Sequence, residues 1–96
     1  MYIVTVTFEV APEHTEAFRP AILAQAANSL SREEGCHQFD VAFDADNPAL
    51  CFLYEKYTDR AAFDLHLQSD HFKDLDATVA SWVVRKEVAT WIEATA

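Results

Sequence analysis

The sequence predicts an α+β domain of ferredoxin-like type, β-α-β-β-α-β, an antiparallel sheet with helices on one face and a second helix split in two. Three observations carry this reading. Apolar and polar residues alternate strictly near the N-terminus, as in a strand with one apolar face. An apolar period of four follows, as in an amphipathic helix. Two further strand-like stretches, a helical one and a last strand-like one complete the order. Ninety-six residues accommodate one hydrophobic core, so residues 1–96 are read as one domain.

In the first strand, residues 2–10, Tyr2, Val4, Val6, Phe8 and Val10 point one way and Thr5, Thr7 and Glu9 the other. Pro12 suits an opening helical turn, where Glu13 and Glu16 complement the positive end of the helix dipole. The predicted buried stripe is Phe18, Ile22, Ala26 and Leu30, with Leu23 and Ala27 beside it. Pro20 should bend this helix or delay its start, and Gly35 is expected to stop it. Residues 36–44 alternate again through Phe39, Val41 and Phe43, which places His37 on the face of Phe39.

Residues 45–49, ADNPA, form a turn by composition, and 50–58, LCFLYEKYT, return as the second arm of a hairpin. This pairing puts Cys36 near Thr58 and Cys51 near Phe43, at opposite ends of the ladder and too far apart to bridge. Asp59 is the expected cap of a helix over 60–68. Ser69 and Asp70 interrupt it and cap another over 71–82, with Phe72, Leu75 and Val79 inward. The run from Val83 to about Glu93 is the last strand.

Composition excludes several functions. Sixteen acidic against seven basic residues leave a net charge of −9, which phosphate backbones and anionic lipid repel, so neither nucleic acid nor membrane is an expected partner. Gly35 is the only glycine, so neither a phosphate-cradling loop nor a dinucleotide fingerprint can be built. No apolar run approaches the ~20 residues of a membrane span, and no signal-peptide pattern opens the chain. The two cysteines have neither CxxC nor zinc-type spacing and are read as buried free thiols of a cytoplasmic protein.

The third strand carries an inference about assembly. Leu50, Phe52 and Tyr54 fall on one face and Cys51, Leu53 and Tyr57 on the other, yet this topology has helices for one face only. An uncovered apolar face is rare in monomers, so a homodimer packed through the open sheet face is expected.

Among the histidines, His14 is expected in water. His66 falls inside an apolar helical arc with Ala62, Phe63 and Leu67, so its imidazole should point toward the sheet. It is either a hydrogen-bonded core histidine or a base poised near neutral pH. Glu55 interrupts an apolar strand between Tyr54 and Tyr57. Turned inward it needs a partner, for which His66 is the candidate; turned outward it could pair with Lys56 or Arg85. His71, five residues beyond His66 and across the helix break, is poorly spaced for chelation, so no metal site is expected.

Glu34-Gly35-Cys36, Phe39-Asp40-Val41, Tyr54-Glu55-x-Tyr57-x-Asp59, Ala62-Phe63, His66 and His71-Phe72 together resemble the antibiotic biosynthesis monooxygenase family, over nearly the whole chain. The resemblance implies a dimeric α/β barrel of ferredoxin-like subunits that oxidises a small phenol or hydroquinone to a quinone with dioxygen and no cofactor. Carried over by position, it implies His66 as base, Glu55 as its orienter, and Phe39, Phe63, His71, Phe72 and Trp82 as substrate-binding residues. The same family contains an isomerase of a phosphorylated dicarbonyl from autoinducer-2 catabolism, whose phosphate Arg85 and Lys86 could meet. A non-catalytic dimer that binds a small molecule is the third alternative.

Overall fold

The structure, a computed structural model, describes residues 1–94. The elements are β1 (Tyr2–Val10), a 3₁₀ turn (Pro12–His14), α1 (Thr15–Arg32), β2 (Cys36–Phe43), β3 (Leu50–Tyr57), α2 (Arg60–Gln68), α3 (Asp70–Val79) and β4 (Val83–Ile92). The four strands form one antiparallel sheet in the order β2-β3-β1-β4, the ferredoxin-like arrangement expected from the sequence. Among the described residues no helix is long and apolar enough to cross a membrane.

Strand alternation sets the two faces of the sheet. Val4, Val6, Phe8 and Val10 are buried against the helices, and Val4, Val6 and Phe8 stand opposite Glu55, Leu53 and Cys51 of β3. Phe8 meets Phe18 of α1 edge to face, with ring centroids 5.3 Å apart. The other face carries Thr5, Thr7, Phe52, Tyr54 and Trp91, and Phe52 and Trp91 are exposed.

The buried side of α1 differs from the predicted stripe. Leu23 and Leu30 are exposed, while Gln25 and Ser29 are buried beside Phe18, Ile22 and Ala26. A strict four-residue step drifts about 40° per repeat around a helix, which carries Leu30 some 120° from Phe18. Ser29 and Gln25 each lie within about 20° of Phe18 and take the inward line. Pro20 neither ends nor delays α1, which starts five residues before it.

Gly35 does not stop α1 through a left-handed conformation, because no described residue has positive φ. Glu33 ends the helix in extended geometry. Gly35 is needed for packing: a Cβ there would lie 2.5 Å from Cβ of Ala62. This contact sets how closely α2 sits on the α1–β2 turn.

Caps define α2 and α3. Asp59 Oδ1 accepts from the Ala62 N–H at 2.9 Å. Ser69 Oγ donates to the His66 carbonyl at 2.7 Å and accepts from the Phe72 N–H at 3.3 Å, so one hydroxyl closes α2 and opens α3.

His37 does not share the face of Phe39. The β2–β3 register shifts between Cys36 and Gln38, leaving Cys36 and Phe39 buried and His37 exposed, with Nε2 2.6 Å from Thr58 Oγ1. Cys51 stands opposite Phe43 and Cys36 opposite Tyr57. Both thiols are free and buried, and burial pushes each up to about 12, which leaves them poor nucleophiles.

Candidate active site

Four elements converge beneath α2. α1 supplies Gln25 and Ser29 from its inward line, and Glu33 follows one further four-residue step along, just past its last turn. β3 contributes Glu55 and Tyr57, α2 contributes Phe63 and His66, and α3 contributes His71 and Phe72. Phe39 enters from β2, directly opposite Glu55.

His66 is 3% exposed and enclosed by aromatic rings. Its centroid lies 5.0 Å from that of Phe72, 5.4 Å from Tyr57, 6.0 Å from Phe63 and 6.2 Å from Phe39. Nδ1 sits 2.9 Å from Glu33 Oε2 and 3.1 Å from Oε1, with Ser29 Oγ at 3.5 Å. A carboxylate accepts, so Nδ1 carries the proton and Nε2 keeps its lone pair. No described side chain is hydrogen-bonded to Nε2. Burial pulls the imidazole below its usual pKa while Glu33 pushes it back up, which favours the neutral ring near pH 7.

Glu55 is 2% exposed. Tyr57 donates its phenolic proton to Oε1 at 2.6 Å. Desolvation pushes the Glu55 carboxyl up to about 7, Tyr57 works against this, and the charge of Glu33 adds to it. Burial first, and then the charge of Glu55, raise the Tyr57 phenol as well.

Between sheet and helices lies a cavity of about 50 Å³ whose walls include Glu55, His66, Phe39, Phe63 and Phe72. The expected acid and imidazole are therefore brought to one cavity, but they are not paired with each other. The carboxylate that holds His66 is Glu33, because α1 runs past α2 and delivers it to Nδ1, while Glu55 rises from the sheet and is taken by Tyr57. The outward alternative for Glu55 does not occur: Lys56 pairs with Glu93, and Arg85 with Glu9 and Glu87.

Two expected substrate-binding residues lie elsewhere. Trp82 is outside the cavity and stacks on His14, centroids 5.5 Å apart and planes at 16°, so His14 is not simply solvated either. His71 lines an outer groove between α1 and α3. Its Nδ1 is 3.3 Å from Gln25 Oε1, and its Nε2 is 2.9 Å from Glu33 Oε2 without the alignment of a hydrogen bond. The sequence reading missed Glu33, Gln25 and Ser29. Their spacing of four along the line of Phe18 was the available signal.

Residues 1–78, which include Glu33, Glu55, His66 and His71, match the sequence profile described as antibiotic biosynthesis monooxygenase. The chain belongs to this family. A Mycobacterium tuberculosis relative, provisionally named a monooxygenase, is 32% identical over 79 residues, covering 82% of this chain and 76% of that protein. The solved structure of that family member superimposes with a TM-score of 0.90 at 26% identity, over 99% of this chain and 96% of the other. A Nitrosomonas europaea protein, provisionally named an antibiotic biosynthesis monooxygenase, gives a TM-score of 0.94 at 30% identity, over 99% of this chain and all of that one.

Proposed function

We propose that this family member oxidises a small phenol or hydroquinone to a quinone with dioxygen, and that His66 is the base. One observation carries the reading: a buried imidazole, held by Glu33 through Nδ1, has its other nitrogen free and lines the aromatic cavity that Glu55 also lines. In this reading Glu33, in place of Glu55, positions the ring. Glu55, titrating near neutrality, is the second proton-handling group.

His66 Nε2 takes the phenolic proton. The resulting phenolate passes one electron to dioxygen, and the phenoxyl radical and superoxide combine to form a C–O bond at an unsubstituted ring carbon. Loss of the proton from that carbon and cleavage of the O–O bond give the quinone, the distal oxygen leaving as water. The phenolic and ring hydrogens both end in that water, so one phenol and one dioxygen yield one quinone and one water. The protein supplies the base, the acid and an aromatic-walled cavity at whose inner end both are almost fully buried.

Phe39, Phe63 and Phe72 are the substrate-binding residues of this proposal. The partner is a second copy docked on the open sheet face, where Phe52 and Trp91 are exposed. Oxygen uptake with a panel of substituted hydroquinones tests the activity. Uptake with quinone formation is expected, and none across the panel overturns it.

A second reading has one observation in its favour: an acid near neutral pH and a free imidazole nitrogen on one cavity suit proton shifts beside a carbonyl. Deuterium exchange into a small diketone without oxygen consumption would select that isomerase.

A further inference from the structure

Lys86 lies on β4 opposite Phe8 and faces the helix side of the sheet. Its neighbour Arg85 falls on the other face, 3.5 Å from Glu9 and 2.7 Å from Glu87, and has no part in the cavity. Lys86 does line it, and among the described residues it is the only lysine or arginine that does. Its Nζ stands 5.5 Å from the ring centroid of Phe8 and 5.7 Å from that of Phe72, a position that fixes the ammonium over two cavity walls.

Among the described residues its ion-pair partner is Asp76, 3.9 Å away and mostly exposed, too loose to satisfy the ammonium. Most of β4 is exposed, Val88 beside Lys86 included, so Lys86 marks the mouth. Glu55 and His66 lie at the buried end. The Lys86 charge favours the ionised form of Glu55 and the neutral form of His66, each a lesser influence than burial.

We propose that Lys86 anchors an acidic substituent, so that the preferred ligand of this cavity is an aromatic compound bearing a carboxylate. The acid group sits at the mouth on Nζ, displacing Asp76, and the ring hydroxyl points inward to His66 Nε2. The hollow of about 50 Å³ must widen to take the ring, since a benzene-sized ligand needs roughly 150 Å³. The reverse orientation would bury a carboxylate beside Glu55 with no cation to compensate it. A net charge of −9 repels anions at a distance, but a local ammonium on a low-dielectric wall decides binding at the site. The inference rests on this cavity being the substrate site and is independent of the reaction carried out there.

The test is anaerobic calorimetry with 2,5-dihydroxybenzoate and its neutral counterpart 2,5-dihydroxybenzamide, on the wild-type protein, Lys86→Met and Asp76→Asn. A charge-assisted hydrogen bond predicts that the acid binds roughly tenfold or more tightly than the amide. Lys86→Met should erase that difference, and Asp76→Asn should strengthen binding of the acid alone. Equal affinities in the wild type, no binding of either compound, or a preference that survives Lys86→Met would overturn the assignment. Because no oxygen is present, failure of the oxygenase reading leaves this result intact, and the converse also holds.

Discussion

Nδ1 of His66 lies 2.9 Å from Oε2 of Glu33, and this bond, not a bond to Glu55, determines which ring nitrogen stays free. The partner comes from the turn after α1, so the imidazole is held from the helix layer and Nε2 keeps its lone pair.

His66→Ala should lower the oxidation rate by on the order of 10²–10⁴-fold with the fold retained, as judged by circular dichroism. Glu33→Gln should act differently. Glu33 raises the imidazole pKa, so its neutralisation moves the acid limb of the kcat/KM profile to lower pH. An unmoved limb would refute positioning by Glu33.

Glu55 predicts a pH-dependent stability. Its carboxyl rises from 4.5 to about 7 on folding, so between these values the native state holds a proton that the unfolded chain has released. The contribution is complete below pH 4.5 and is lost as pH rises through 7. Glu55→Gln should therefore match the wild type near pH 4 and exceed it by roughly 3 kcal/mol near pH 8. Urea midpoints at the two pH values check this, and a pH-independent difference would contradict it.

Gly35→Ala should destabilise by about 1–3 kcal/mol, because the new methyl meets Cβ of Ala62 at 2.5 Å. The displaced α2 carries His66, so activity should fall as well. Adding Ala62→Gly should restore much of both losses, a coupling that a double-mutant cycle in thermal unfolding measures.

Sedimentation should give the mass of a dimer for the wild type and of a monomer for Phe52→Glu, which puts a charge at the centre of the exposed sheet face. A wild-type monomer would remove the proposed assembly.

Much of the architecture could be read from local pattern. Alternation marked β1, Asp59 marked the start of α2, and Ser69 marked the break before α3, since each is a short-range rule of backbone pairing or capping. His66 and Glu55 stood out because a polar group in an apolar run needs a partner. Identifying the partners required distances between elements. Tyr57 is two residues from Glu55, but Glu33 is 33 residues from His66.

The residue pattern thus sufficed for the strand and helix order and the inward imidazole, because periodicity and caps act within a few residues, and the order of short motifs carried the resemblance to the family. Packing in three dimensions decided that Glu33 holds His66, that Trp82 stacks on His14 outside the cavity, and that Lys86 rather than Arg85 reaches its mouth. Those outcomes depend on helix rotation and strand register, where one residue of slip exchanges a buried side chain for an exposed one.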